Sequence, residues 1–175
     1  MRESFLPRLT SVPVLIEPDV ADPSLRPAEE LIEWAIDHVD WIEERLLRHG
    51  GILFRGWGFQ QPDLFEAFIN RVSPTPLDYK RGASPRKKVH GKVYTSTEAP
   101  SILPIPLHCD MSSYGKTAPA KIFFNCVIPP RHQGQTPIAD MQQMYDDLDP
   151  VIRQEFEDRD LRLVQNVPEV RSLRK

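Results

Sequence analysis

Apolar residues recur at helical spacing in several parts of the chain. Between residues 28 and 49 they recur at steps of three and four, which predicts one amphipathic helix that ends at Gly50. A second helix is predicted from Pro62 to Val72, and two short helices are predicted over 141–148 and 150–156. The residues that define the face of the first helix are Leu31, Ala35, Val39, Ile42 and Leu46.

Short apolar runs bounded by proline, glycine or polar residues predict strands between these helices. The predicted strands cover residues 13–16, 52–56, 93–97, 102–111, 120–127 and 161–164. Residues 73–91 are polar, basic and interrupted by proline and glycine, so they predict a long loop. Six strands and four helices without an internal repeat indicate an α+β fold that is mainly β.

Composition narrows the class of protein. A chain of 175 residues is long enough for a single domain, or for part of a larger one. The 18 prolines disfavour a bundle of long helices, because proline interrupts helices. The formal net charge of −3 disfavours general binding to nucleic acid or to an anionic membrane surface.

The apolar runs and the cysteines predict a cytoplasmic protein. No run approaches the roughly 18 apolar residues of a membrane-spanning helix, and residues 1–7 contain no apolar signal segment. Two cysteines, Cys109 and Cys126, are too few for a disulfide framework. With His108 and His132 they lack the paired spacing of a zinc site.

The segment His108-Cys109-Asp110 is the strongest candidate for chemistry. In a strand, residues i and i+2 point to the same face, so the imidazole and the carboxylate can converge on one cation. These are two members of the 2-His-1-carboxylate triad that binds non-haem Fe(II). Alone, the pattern also fits a hydrogen-bonded strand pair. His38 and Asp40 have the same spacing but lie in a predicted helix, where such side chains diverge.

The order of motifs around this pair resembles the TauD/TfdA (taurine dioxygenase-like) family, in its syringomycin-biosynthesis-hydroxylase-like branch. The resemblance extends from about residue 13 to 168 and makes residues 1–175 the N-terminal portion of one such domain. The segments that carry it are Gly51-Ile52-Leu53-Phe54-Arg55-Gly56-Trp57, Val93-Tyr94-Thr95-Ser96-Thr97-Glu98, His108-Cys109-Asp110, Ile122-Phe123-Phe124-Asn125-Cys126 and Gln133-Gly134-Gln135-Thr136-Pro137.

The resemblance implies a fold, a cofactor and a reaction. The fold is a double-stranded β-helix, or jelly roll, with flanking helices, which this chain contains only in part. His108 and Asp110 are implied as iron ligands, and the Thr136 hydroxyl as a donor to a carboxylate of 2-oxoglutarate. No catalytic residue beyond these is implied. With dioxygen, such an enzyme hydroxylates a small or carrier-bound molecule. A turn hydroxyl before Pro137 is the alternative for Thr136.

Two further family residues have no counterpart in this chain. The second iron-binding histidine and the arginine that pairs with 2-oxoglutarate lie much farther along in the family. After Asp110 the only histidine is His132, which we interpret as a surface loop residue. The chain therefore reads as a truncated copy of an enzyme or as a short homologue that associates with itself or another chain. A catalytically inactive remnant, a non-catalytic binding or association domain and a 2-oxoglutarate sensor are the alternatives to an enzyme.

A run of basic residues and three single residues are further candidates for a functional role. The run is either a solvated loop or a receiver for an anionic substrate or carrier protein. His90 and Tyr94 are candidates for lining a substrate cleft, and Asn125 is interpreted as a buried, hydrogen-bonded amide. The cations of the run are Lys80, Arg81, Arg86, Lys87 and Lys88.

Overall fold

A computed structural model of the chain describes residues 1–6, 12–19, 24–79, 86–98, 100, 102, 104–132, 134–162 and 164. The strands are β1 (Arg2–Phe5), β2 (Val14–Glu17), β3 (Arg26–Pro27), β4 (Ile52–Phe54), β5 (Trp57–Gly58), β6 (Lys88–His90) and β7 (Val93–Tyr94). The helices are α1 (Ala28–Ile36), α2 (Val39–His49), α3 (Pro62–Val72), α4 (Met141–Asp146) and α5 (Pro150–Arg159), with a 3₁₀ helix at Ser112–Thr117.

A three-stranded sheet with the order β1-β2-β4 forms one side of the core. Strand β2 pairs antiparallel with β1 and parallel with β4, with Leu15 opposite Leu53. Because two parallel strands need a long crossover, the chain between them contains β3, α1 and α2. The predicted strand at 13–16 is thus confirmed, shifted by one residue.

The single helix predicted over 28–49 is two helices, so that prediction is wrong in one respect. Helix α1 ends at Ile36, and the ring nitrogen Nδ1 of His38 binds the carbonyl oxygen of Trp34 at 2.7 Å. The side chain satisfies a carbonyl that the helix end leaves unpaired, so the helix can end without glycine. Helix α2 does end as predicted, with Gly50 in the left-handed conformation at φ 63°.

The buried core lies between residues 14 and 72. Helix α1 contributes Leu31 and Ala35, and α3 contributes Phe68 and Val72, which form one cluster with Ile42 of α2. Helix α3 begins with Pro62 in its first turn, where a missing N–H costs no hydrogen bond. The predicted helix at 62–72 is confirmed, and its apolar face packs on α1.

Residues 102–111 and 120–127 are not strands among the described positions, which corrects two predictions. The second segment still has a strand-like alternation. Lys121, Phe123 and Asn125 are partly buried, whereas Ile122 and Phe124 are exposed. Without a neighbouring backbone to pair with, an alternating segment makes no sheet hydrogen bonds, so the pattern is present without the strand.

The hairpin of β6 and β7 corrects two further boundaries. Of the strand predicted over 93–97, Val93–Tyr94 form a strand. Their antiparallel partner, Lys88–His90, lies inside the segment that was predicted as a loop. The strand predicted at 161–164 is absent at the described residues 161, 162 and 164. Strand β1 was not predicted, because Phe5 is the one apolar residue in Arg2–Phe5 and a single apolar residue shows no alternation.

The described residues contain both helices and strands, as the α+β class requires, and more of them lie in helices than in strands. Their small sheets do not close into a barrel. Helices α4 and α5 confirm the two predicted short helices. Each is capped by an aspartate side chain, Asp140 or Asp149, which accepts backbone N–H groups. In this described part, no helix has the length and apolar character needed to cross a membrane.

Candidate functional site

His108 is oriented by the backbone just before it. Its Nδ1 lies 2.8 Å from the carbonyl oxygen of Pro106. A carbonyl oxygen can only accept, so Nδ1 carries the hydrogen and donates it. In the neutral imidazole, the lone pair is then on Nε2. Carbonyl oxygens that accept the other ring N–H impose the same arrangement on metal-binding histidines.

The carboxylate of Asp110 faces Nε2, the other nitrogen of this imidazole. The distance from Nε2 of His108 to Oδ1 of Asp110 is 3.3 Å, and the two side chains are 55% and 34% exposed. The intervening segment has no regular secondary structure. Immediately after it, Met111 adopts the left-handed conformation at φ 54°, which is uncommon for a residue with a side chain. The backbone therefore turns sharply directly after Asp110.

Local interactions raise the pKa of His108 above its ordinary value. The largest cause is the hydrogen bond to the Pro106 carbonyl, and the charge and hydrogen bonding of Asp110 act in the same direction. Desolvation and the positive charge of Arg86 lower the pKa, but they do not outweigh the raising effects. A metal ion at Nε2 would have to displace a proton that is held more tightly than in a free histidine.

The geometry of this pair fits two neighbouring positions around a metal ion. Bonds of about 2.1 Å that meet at a right angle place the two donor atoms about 3.0 Å apart. The observed 3.3 Å between Nε2 and Oδ1 needs only a small adjustment. A neutral nitrogen and a carboxylate oxygen are also donors that Fe(II) accepts. His108 and Asp110 can therefore hold such a cation together.

A third metal-binding side chain does not join the pair. Within the described ranges, no group of three or more His, Cys, Asp or Glu residues could hold a metal ion. Thr136 lies on the segment 134–140, outside helices and strands, and its side chain is exposed. His132 is an exposed loop residue, which agrees with its interpretation as a surface histidine.

The positive charge of Arg86, one member of the predicted basic run, acts to lower the pKa of His108. The sequence contained it only as one cation in a basic run. The other described members of that run are engaged elsewhere, with Lys87 3.1 Å from Glu98 and Lys88 3.9 Å from Asp78. Lys80 and Arg81 lie outside the described residues.

The remaining candidates have structural contacts. Nε2 of His90 lies 3.4 Å from a carboxylate oxygen of Glu66, and the Tyr94 hydroxyl donates to Asp78. Asn125 is a partly buried amide that donates to the Phe59 carbonyl at 2.8 Å, so the hydrogen-bonded amide is confirmed. Cys109 and Cys126 are both exposed and free.

Two curated proteins are similar to parts of this chain. A clavaminate synthase-like protein of Arabidopsis thaliana is 34% identical over 106 residues, which are 61% of this chain and 32% of that protein. The dapdiamide synthesis protein DdaC of Enterobacter agglomerans is 31% identical over 125 residues, which are 71% of this chain and 38% of that protein. The chain thus spans about a third of the length of these relatives.

A family model extends the similarity over most of the chain. The model described as taurine catabolism dioxygenase TauD, TfdA family matches residues 25–174. Both relatives are consistent with the branch that the motifs indicated. The match includes the core helices and the segment with His108 and Asp110. The chain therefore belongs to the TauD/TfdA family of dioxygenases, as its motifs predicted.

Proposed function

We propose that this chain supplies part of the active site of an Fe(II)- and 2-oxoglutarate-dependent dioxygenase that hydroxylates a small or carrier-bound molecule. The observation that carries the proposal is the convergence of His108 Nε2 and Asp110 Oδ1 at 3.3 Å. Membership in the dioxygenase family makes iron the cation to test there first.

In this proposal the chain's own side chains hold the metal and orient the co-substrate. The Pro106 carbonyl keeps the Nε2 lone pair of His108 directed at the metal position, and Asp110 adds a negatively charged oxygen. The Thr136 hydroxyl donates a hydrogen bond to a 2-oxoglutarate carboxylate, which is a strong bond because the acceptor is ionised. When bound, Fe(II) with 2-oxoglutarate supplies the reaction with dioxygen.

Two protein donors make an incomplete site. An Fe(II) centre of the family type uses a third protein ligand, and the described residues do not provide a three-donor group. We therefore propose that the third ligand comes from a longer polypeptide or from an associated chain. The complete jelly roll is part of the same proposal, since 3 small sheets in the described residues do not form one.

The substrate class rests on the relatives. One is named for dapdiamide synthesis and the other as clavaminate synthase-like, which favours a small-molecule biosynthetic substrate for this chain. A substrate tethered to a carrier protein is the extension of this proposal. Exposure of His108 and Asp110 is consistent with a site that must admit another molecule.

The proposal is tested by titrating the purified chain with Fe(II) and 2-oxoglutarate in the absence of dioxygen. We expect the weak visible charge-transfer band of an iron–2-oxoglutarate complex, and its loss in the His108→Ala and Asp110→Asn variants. His132→Ala removes an exposed histidine outside the pair and serves as the matched control. A band that survives His108→Ala or Asp110→Asn, or that is lost equally in His132→Ala, would contradict the proposal.

A second function is favoured by the exposed apolar side chains. Ile122 and Phe124 are 50% and 61% exposed, and Ile128 is 85% exposed. Apolar surface of this kind is typical of contact with another protein segment. A non-catalytic domain that associates with itself or with another chain is therefore the alternative. Sedimentation of the chain as a monomer across concentrations, with the iron band present, would remove this alternative.

A further inference from the structure

Two tyrosine rings beside the β6–β7 hairpin each carry a cationic side chain. The guanidinium carbon of Arg86 lies 5.0 Å from the centre of the Tyr79 ring, and the ammonium nitrogen of Lys88 lies 5.8 Å from the centre of the Tyr94 ring. Both are cation–π distances. The centres of the two rings are 5.7 Å apart. The two cations are therefore held over adjoining rings, and we call these four residues the tyrosine–cation cluster.

The alternation of side chains along an extended backbone explains why the third cation of this segment is not in the cluster. Residues 86 and 88 are two positions apart, so they share one side, and Lys87 points to the other. The backbone of Lys87 pairs with Thr95, since its carbonyl accepts the Thr95 N–H at 2.8 Å and its N–H donates to Thr95 Oγ1 at 2.9 Å. The Lys87 ammonium lies 3.1 Å from a carboxylate oxygen of Glu98. Lys87 is thus a cation of the same segment with a different environment.

Acidic side chains do not balance the positive charge of the cluster. Within the described ranges, Arg86 forms no ion pair with a carboxylate. The carboxylate of Asp78 lies 3.9 Å from the Lys88 ammonium, and it also accepts a hydrogen bond from the Tyr94 hydroxyl. Between Asp78 and Glu98 the sequence contains six Lys or Arg residues and no Asp or Glu. This local excess of positive charge favours a ligand with more than one negative charge.

Arg86 also has a hydrogen-bond donor without an acceptor. Its Nε–H is buried, and no acceptor lies within hydrogen-bond distance of it in the described part of the chain. The Arg86 side chain as a whole is partly exposed, so a molecule from solvent can reach the guanidinium. A buried donor without an acceptor is costly, and an oxyanion in the guanidinium plane would remove that cost. The Tyr79 ring already orients the guanidinium, so binding requires little further ordering of the side chain.

We propose that the tyrosine–cation cluster binds a phosphate group, with two phosphate oxygens on the planar fork of Arg86 and Lys88 as the second cation. Arginine matches two oxygens of a phosphate with parallel N–H···O bonds, whereas lysine acts as a point charge. Free phosphate and a phosphate monoester present the same dianion, so both belong to this class of ligand. The site goes beyond the proposed dioxygenase function, and it uses neither His108 nor Asp110.

The first measurement follows the Nε–H resonance of Arg86 in the isotopically labelled full chain, without added metal. Inorganic phosphate is added at about pH 8, where it is mainly a dianion. Sodium chloride at equal ionic strength controls for screening, and acetate tests a single negative charge. We expect a saturable shift of the Arg86 resonance with phosphate, acetate binding about tenfold weaker or more, and no saturable shift at the exposed Arg131.

The second measurement compares the phosphate affinity of three variants by calorimetry. Arg86→Gln removes the fork and one charge of the cluster, and we expect it to weaken phosphate binding about tenfold or more. Lys88→Gln removes the second charge and should cause a smaller loss. Lys87→Gln removes one charge from the same segment but outside the cluster, so it is the matched control and should bind phosphate like the parent. Circular dichroism of each variant checks that its fold is retained.

Glycerol 3-phosphate separates the two sources of the phosphate group. Tighter binding of this monoester than of inorganic phosphate indicates a phosphorylated molecule as the ligand, whereas equal affinity indicates that the phosphate group alone is recognised, and either result supports the proposal. An Arg86 resonance that responds to phosphate no more than to chloride would overturn it, as would equal loss of affinity in Arg86→Gln and Lys87→Gln. Neither measurement requires iron, so failure of the iron titration leaves this test intact.

Discussion

The side chain of Asn125 donates a hydrogen bond from Nδ2 to the carbonyl oxygen of Phe59 at 2.8 Å. This bond attaches the alternating segment at 121–126 to the core formed by residues 14–72. The ion pair of Lys121 with Glu43 of α2 and the packing of Phe123 on the core act at the same face. The segment after the candidate metal pair is thus held by side chains, although none of the described strands pairs with its backbone.

Removing this amide should loosen that attachment. We expect Asn125→Ala to destabilise the chain by about 1 kcal/mol, because the partly buried Phe59 carbonyl loses its donor. Urea unfolding measures the change. Gln154→Ala breaks an exposed side-chain bond to Asp158 and should change stability very little. Equal effects of the two substitutions would contradict a specific role for Asn125.

The core predicts a much larger effect at Leu31. This side chain is 1% exposed and lies in the cluster between α1, α2 and α3. Leu31→Ala should cost about 2–5 kcal/mol through lost burial and a cavity. Leu47→Ala removes the same atoms from a side chain that is 77% exposed, and we expect a change within about 0.5 kcal/mol. The midpoints of chemical unfolding of the two variants compare them directly, and similar midpoints would contradict the assigned core.

Tyr94 predicts a loss of stability in alkali. Its hydrogen bond to Asp78 raises the pKa of the phenol above its ordinary value of 10.0, so the folded chain retains the proton after the unfolded chain has lost it. The resulting stabilisation is complete below pH 10.0 and is lost as the pH rises through the folded-state pKa. Asp78→Asn should lower the pKa of Tyr94, measured by the ultraviolet absorbance of tyrosinate. An unchanged or higher pKa would contradict this assignment.

The pair at His108 and Asp110 has its own dependence on pH. Because the folded chain raises the pKa of His108, protonation stabilises the metal-free fold in acid, and this contribution is lost as the pH rises through the folded-state pKa. Asp110→Asn should lower the pKa of His108 in an NMR titration, since it removes a raising charge. Asp40→Asn is the control, because Asp40 of α2 has the same spacing from His38, and it should leave the pKa of His108 unaltered. A His108 pKa that ignores Asp110 would contradict the pairing.

The sequence predicted those parts of the fold that depend on neighbours along the chain. Helix α3 was predictable from its own apolar period and Pro62, and the end of α2 from Gly50. The segment at 120–127 was mistaken for a strand because alternation is a property of one segment, whereas a strand also needs a paired backbone. The break at His38 depends on one side-chain bond to Trp34, which periodicity does not record.

The candidate site shows the same division. His108 and Asp110 were predicted to converge because two positions suffice to place both side chains on one side, and they do so without a paired strand. The packing of Arg86 on the Tyr79 ring was not predictable, because a contact between side chains is not recorded in the pattern of the sequence. The proposed role of Thr136 remains a prediction.

The central claim is that His108 offers Nε2 to a metal ion while Nδ1 stays bound to the Pro106 carbonyl. The most direct test records the imidazole nitrogen resonances of isotopically labelled chain during titration with Zn(II), a diamagnetic substitute for Fe(II). We predict that the Nε2 resonance of His108 shifts on metal binding, that Nδ1 keeps its hydrogen, and that Asp110→Asn weakens the response. A shift at Nδ1, or no response at His108 while other histidines respond, would contradict the account.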